Sequence, residues 1–284
     1  MKKPSLYVVA TPIGNKSDMS LRALEVLKMV DIIACEDSRV SKKLLESYDI
    51  NKPLISYHKF NEKQRTEEFL KLLKSGKEAA QKIAPKVALI SDAGTPCISD
   101  PGRILVNELF EQGIEITSIP GACAISTFLS QIPRNREEFA FIGFLPRTQQ
   151  EAVFAKFAQI DMVFYEAANR LIKTLKIIKD FRGAETKVSI GRELTKVHEE
   201  TLTDTVENIL KHYETHTLKG EVVVMLYAQD KNESEPDEFE ITEKIKKLKA
   251  LKYTDKDISA ILSTLYGYNK NKVYNLCLAV ISIQ

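Results

Sequence analysis

Five times in its first 120 residues the chain repeats one arrangement: a short apolar run, a polar loop, and a stretch with helical spacing. The runs are Ser5–Ala10, Asp31–Cys35, Leu54–Tyr57, Val87–Ile90 and Glu115–Ile119. Runs this short and this continuously apolar bury both faces, as strands of a parallel sheet do, and parallel neighbours need the crossovers that the intervening helices supply. The helical spacings fall after Asp18 or Ser20, where Leu21, Leu24, Val26, Leu27 and Val30 share a face, and over 41–48, 61–75 and 103–112. Segment 77–86 reads as a helical extension or loop without evident chemistry. The pattern predicts an open α/β sheet, and such sheets bind ligands in the crevice outside the carboxyl ends of their strands.

The loops at those ends are where chemistry belongs. The richest is Ser91-Asp92-Ala93-Gly94-Thr95-Pro96-Cys97-Ile98-Ser99-Asp100-Pro101-Gly102. Gly94 permits a positive φ and close approach of backbone to a ligand, the prolines stiffen the loop, and Asp92, Thr95, Ser99 and Asp100 offer polar atoms. Glu36, Asp37, Ser38 and Arg39 close the second strand, while His58 and Asn61 follow the third. After Ile119, small residues at Gly121–Ala124 let a helix start approach a ligand closely. The loop after the first strand, Thr11-Pro12-Ile13-Gly14-Asn15, lacks the GxGxxG spacing of dinucleotide-binding βαβ units.

From Phe139 the chain reads as a second α/β unit, with strands at 161–166, 187–192 and 221–228 and helices at 149–157, 169–181 and 206–213. Its strand ends carry Tyr165-Glu166 and then Arg192-Glu193-Leu194-Thr195-Lys196 with His198, Glu199 and Glu200. The expected domains are an N-terminal α/β domain over 1–134, a second over 135–230, an acidic linker over 231–240 and a helical module over 241–284. Helices are expected at 241–251, 254–265 and 269–281, the second opened by a Thr254-x-x-Asp257 capping box. The module holds eight lysines against three acids, a surface suited to nucleic acid, whereas the whole chain balances 41 basic against 39 acidic residues. Four cysteines without CxxC pairing, and four histidines, argue against a zinc site and for a reducing compartment. No apolar run is long enough for a signal peptide or a membrane span, so the expected location is the cytoplasm.

Taken together, residues 10–15, 35–39, 91–102, 120–121, 143–146, 165–166, 192–200 and 219–221 resemble the bacterial 16S ribosomal RNA cytidine-2′-O-methyltransferases of the tetrapyrrole methylase superfamily. The resemblance implies two α/β domains with S-adenosylmethionine in the cleft between them, a small C-terminal helical module, a homodimer, and 16S rRNA or the small ribosomal subunit as partner. It implies cofactor contacts at Pro12, Ile13, Thr95, Ile98, Cys123, Ala124, Tyr165 and Gly220, to which loop chemistry adds Asp92 and Gly94. The RNA and catalytic side would be Glu36, Asp37, Arg39, His58, Asn61, Glu193 and Lys196. Glu36, Asp37, His58 or Glu193 would take the hydroxyl proton; Arg39, Arg192 and Lys196 would hold phosphate or ribose. No metal is expected. The alternatives are a methylase of a tetrapyrrole-like small molecule and a non-catalytic ribosome-assembly factor with the same fold.

Overall fold

A computed structural model describes residues 5–78, 85–215, 219–229, 238–266 and 268–280. The first sheet is parallel throughout, in the order β3-β2-β4-β1-β5. Its strands are β1 (Leu6–Val9), β2 (Ile32–Cys35), β3 (Leu54–Ser56), β4 (Val87–Ile90) and β5 (Ile116–Ile119). Alternation sends Tyr7, Val9, Ile33, Cys35, Ala88 and Ile90 to one face, under α1 (Leu21–Met29) and α2 (Ser38–Glu46). Leu6, Val8, Ala34, Val87 and Leu89 point to the other, under α3 (Glu62–Glu78) and α4 (Arg103–Glu111).

Local chemistry explains where the helices start. Ser20 caps α1 by accepting from Ala23 N at 3.1 Å. The helix expected from Ser41 begins at Ser38, because Asp37 serves as its cap and accepts from Arg39 N at 2.8 Å. The expected helix at 61–75 runs on through Glu78, and residues 79–84 of the segment read as an extension or loop lie outside the described residues.

The second sheet is mixed, in the order β6-β7-β10-β8-β9. It comprises β6 (Phe139–Phe144), β7 (Asp161–Ala167), β8 (Lys187–Arg192), β9 (Glu200–Thr205) and β10 (Glu221–Leu226). Strand β9 corrects the sequence reading, which took Glu200 as part of a strand-end cluster. Glu200–Thr205 instead turns back antiparallel on β8, Arg192 opposite Glu200, and its β-branched threonines are the signal that was overlooked. Helices α6 (Gln150–Lys156), α7 (Ala168–Arg182) and α8 (Val206–Thr215) cover one face around Phe164, Leu171, Ile190 and Val224.

The opposite face is covered by α5 (Ala124–Leu129), a helix that follows the last strand of the first sheet. Ile125, Phe128 and Leu129 of α5, with Ile13, pack on Val163, Leu194, Val223 and Met225. Gly191 makes this possible: a Cβ there would lie 2.5 Å from Phe128 Cδ2. Residues 1–228 accordingly form one compact unit holding both sheets.

Residues 229–284 form the other unit. Its helices α9 (Glu238–Ala250), α10 (Asp255–Tyr266) and α11 (Lys270–Ala279) enclose Ile241, Ile245, Ile258, Leu262, Val273 and Cys277. The capping box is present, with Asp257 N donating to Thr254 Oγ1 at 3.2 Å and Thr254 N to Asp257 Oδ2 at 3.3 Å. Helix α9 takes in 238–240 of the expected linker, and 230–237 lies outside the described residues. The lysines do not all face water. Lys249 caps the end of α11 through Cys277 O and Val280 O, and Lys244 lies 4.0 Å over the Tyr266 ring.

Candidate active site

The loops leaving β1 and β4 are joined backbone to backbone. Thr11 N donates to Gly94 O at 2.9 Å and Gly94 N to Thr11 O at 3.0 Å, while Thr11 Oγ1 donates to Ser91 O at 3.1 Å. Thr95 Oγ1 donates to Ala122 O, in the loop between β5 and α5, at 3.1 Å. Within this bracing Cys97 and Ser99 are held at φ 70° and 69°, a left-handed conformation that side chains other than glycine seldom adopt and that clusters at functional sites.

Between this loop and the second sheet lies a largely apolar cavity of about 310 Å³. Ile13, Gly94, Thr95, Ile98, Cys123, Ala124, Tyr165 and Gly220 line it, eight of the ten positions expected to bind cofactor. Pro12 is buried beside it, and Asp92 faces away, where its Oδ1 accepts from Asp37 N at 3.0 Å and ties the loop to the start of α2. The wall also includes Ser99, Asp100, Phe144, Glu166 and Glu221. Phe144 packs on Tyr165 with ring centroids 5.4 Å apart, and burial pushes the Tyr165 phenol well above its ordinary range, so it stays neutral.

The electrostatics of this pocket favour a cation. Burial, reinforced by Glu36, raises the Asp100 carboxyl to about 6, and burial with Asp92 raises that of Glu36. Carboxylates crowded in this way gain from a positive charge brought among them. Gly220 is held at φ 93°, where a Cβ would strike Glu193 Oε1 at 2.2 Å. The volume, the apolar wall and the acidic edge fit a nucleoside carrying positive charge.

The residues expected on the catalytic side divide by what they touch. Asp37 is bound by Arg39 through Nε at 3.1 Å and Nη2 at 2.6 Å, which holds its carboxyl down to about 2. A carboxylate of that basicity is a weak proton acceptor at neutral pH. The Arg39 side chain is 87% exposed. Asn61 braces the loop after β3, its Oδ1 accepting from His58 N at 2.8 Å and its Nδ2 donating to Ser56 O at 3.1 Å. His58 Nδ1 accepts from Phe60 N at 3.3 Å, so a neutral ring carries its proton on Nε2.

Glu193 holds Lys196 Nζ at 2.9 Å and Glu221 N at 3.1 Å. It therefore orders the Gly220 side of the cavity, and the Arg192 of the same cluster is bound to Glu200. Glu36, Asp37 and Arg39 follow β2 and His58 and Asn61 follow β3, on the carboxyl edge of the first sheet, where Glu36 feels the charges of Asp92, His58 and Asp37. Glu193 and Lys196 follow β8 in the second sheet, and none of these seven lines the cavity. Asp100, the acid of the loop's second Ser-Asp pair, and Glu221 line the cavity although neither is among the residues expected to bind cofactor or act in catalysis. Among the described residues no group of three His, Cys, Asp or Glu is arranged to hold a metal ion, and no helix is long and apolar enough to cross a membrane.

Comparison with known proteins accounts for this arrangement. The Tetrapyrrole (Corrin/Porphyrin) Methylases family matches residues 5–210. A Ribosomal RNA small subunit methyltransferase I of Haemophilus influenzae is 37% identical over 280 residues, covering 96% of each chain. The protein of that name from Thermotoga maritima is 40% identical over 228 residues, 79% of this chain and 99% of its own. Among solved structures, Uroporphyrin-III C-methyl transferase from Thermus thermophilus, complexed with S-adenyl homocysteine, superposes with a TM-score of 0.53 at 16% identity, over 78% of this chain and 96% of that one. Diphthine synthase does so with a TM-score of 0.57 at 15% identity, over 78% and 89%. At such identity these two structures establish the shared fold, while the match over most of the sequence establishes kinship: this chain belongs to the tetrapyrrole methylase family.

Proposed function

We propose that the chain transfers a methyl group from S-adenosylmethionine to the ribose 2′-hydroxyl of a cytidine in small-subunit (16S) ribosomal RNA. The observation that carries this reading is the end-to-end likeness, 37% over 96% of both chains, to a ribosomal RNA small subunit methyltransferase I. A tetrapyrrole substrate has the family model and the fold in its favour, but the relatives matched over most of their length are named for ribosomal RNA. An assembly factor without turnover would not need the cavity kept open.

When bound, S-adenosylmethionine supplies an electrophilic methyl carbon on a sulfonium whose charge disappears as the C–S bond breaks and the O–C bond forms. The site therefore has orientation as its main task, which can contribute about 7–11 kcal/mol. Thr95, Ile98, Ala124 and Tyr165 form the walls that hold the donor, and ionised Asp100 is its electrostatic partner. Glu36, with its raised basicity and its closeness to Asp100, takes the hydroxyl proton; His58 donates from Nε2 to the ribose or phosphate. Surface lysines 247, 252, 256 and 270 give the C-terminal unit its hold on RNA. The same reading places the chain in the cytoplasm as a homodimer.

Small subunits lacking the modification, incubated with the purified chain and methyl-labelled donor, test it. Label is expected on one cytidine, with the adjoining phosphodiester made resistant to alkali because a methylated 2′-oxygen cannot attack it. Label on a base, or none on RNA, would overturn the reading.

A further inference from the structure

Among the described residues Phe60 is the most exposed aromatic side chain, 94% open to solvent. It is not on a loose loop. Asn61 N donates back to His58 O at 2.9 Å, the two amide bonds of Asn61 close the turn, and Phe60 N is fixed on His58 Nδ1. The residues on either side are anchored: Tyr57 is buried and bonded to Thr66 at 3.0 Å, and Glu62 Oε1 accepts from Gly102 N at 3.0 Å. That last bond ties the turn to the loop that carries Ser99 and Asp100, and Ser56 Oγ ties β3 to Glu36 O at 3.3 Å. The turn thus has a fixed relation to the loop that supplies Ile98, Ser99 and Asp100 to the cavity wall, while its aromatic ring faces water.

Other exposed apolar side chains, such as Leu21 and Phe110, lie on the outer surfaces of α1 and α4. Phe60 differs in its setting. The His58 ring stands edge-on to it at 6.1 Å, and Glu36, at the neighbouring strand end, is close enough to His58 to feel its charge. The exposed cations that flank the turn, Lys59 and Lys63, attract phosphates of any sequence and do not fix a base. A neutral ring face attracts any base by stacking, whatever the sign of the local potential.

We propose that Phe60 is a stacking platform for a base of the substrate RNA at or next to the methylated nucleotide, held in place by the His58–Asn61 turn. The proposal rests on the rRNA reading above. It makes Phe60 a substrate-binding residue whose contribution is independent of the donor.

Methyl transfer to small subunits lacking the modification, measured for the wild type, Phe60→Ala, Phe60→Leu and Phe60→Trp, tests it. Phe60→Ala and Phe60→Leu are expected to raise KM for the subunit by about 5- to 150-fold, the range for one base on one aromatic ring. Calorimetric affinity for the donor and the salt dependence of subunit binding stay as in the wild type, because a neutral ring displaces no counterions. Phe60→Trp retains the wild-type KM. The chain contains no tryptophan, so that variant also carries a single indole, whose fluorescence is expected to change when subunits are added. An unchanged KM in Phe60→Ala would overturn the proposal, as would loss of the dimer in that variant, which would make the ring a contact between copies. A wild-type chain inactive on subunits would instead overturn the rRNA reading.

Discussion

At the scale of single residues the site is governed by a carboxylate whose ionisation is unfavourable in the fold. Asp100 lies in the cavity wall with its carboxyl raised from 3.8 to about 6. The folded chain therefore holds a proton that the unfolded chain has released between about pH 4 and 6, and stability falls as pH rises through that window. The full shift corresponds to about 3 kcal/mol, which solvent at the open cavity reduces to ~1 kcal/mol. Asp100→Asn is expected to remove this slope and to raise the melting temperature at pH 8 by about 2–4 °C, leaving it unchanged at pH 4. Scanning calorimetry across pH checks this. The same variant is expected to bind S-adenosylmethionine about tenfold more weakly at pH 8, the loss of one charge-assisted contact. Wild-type affinity should fall towards the variant's as pH drops through 6. Stability gained together with affinity lost marks a group kept for binding.

At the scale of elements, α5 and β8 decide whether the cavity exists. Phe128 of α5 lies against Gly191 of β8, and the start of α5 contributes Cys123 and Ala124 to the cavity wall. Gly191→Ala forces a methyl into 2.5 Å from Phe128 Cδ2. The expected cost is about 1–3 kcal/mol in chemical denaturation, as for overpacked cores. Because the ring can yield only by moving α5, donor affinity measured by calorimetry is expected to fall with it, although residue 191 does not line the cavity. A stability loss with unchanged donor affinity would show that α5 accommodates the methyl without displacing Ala124.

At the scale of the whole molecule, the unit over 1–228 has its own cores, and 99% of the Thermotoga maritima relative aligns to 79% of this chain. A chain ending at Ala228 is therefore expected to fold and to bind the donor with wild-type affinity. If the C-terminal unit holds RNA through Lys247, Lys252, Lys256 and Lys270, the truncated chain binds small subunits more weakly. Each lost phosphate contact then lowers the slope of log affinity against log salt by about 0.7–0.9. Filter binding at several salt concentrations reads both quantities. An unchanged slope would make this unit a folding appendage with no part in recognition.

The strands of the first sheet, the position of the loop at 91–102 and most of the cavity wall were legible in the sequence. Short apolar runs, proline and glycine punctuation and strand-end loops are local signals, whereas the cavity-lining positions Ile13, Thr95, Ile98 and Tyr165 were legible only through the family resemblance. Hydrogen-bonding partners are not local. Asp37 reads as a proton acceptor until Arg39 and the start of α2 are seen to occupy it, and Asn61 reads as a substrate-side group until both ends of its amide are seen to close a turn. Strand β9 was hidden because polar threonines on an edge strand give no apolar run, and its pairing with β8 supplied what the pattern lacked. Asp100 became a site group only when the fold buried it near Glu36 and Glu221. The order of residues along the chain determined the α/β framework and its ligand-binding edge. Tertiary structure alone decided which polar groups at that edge are tied up by charged neighbours, as Asp37 is by Arg39, and which, like Asp100, are buried in the cavity wall, because desolvation and partner geometry depend on how the segments pack.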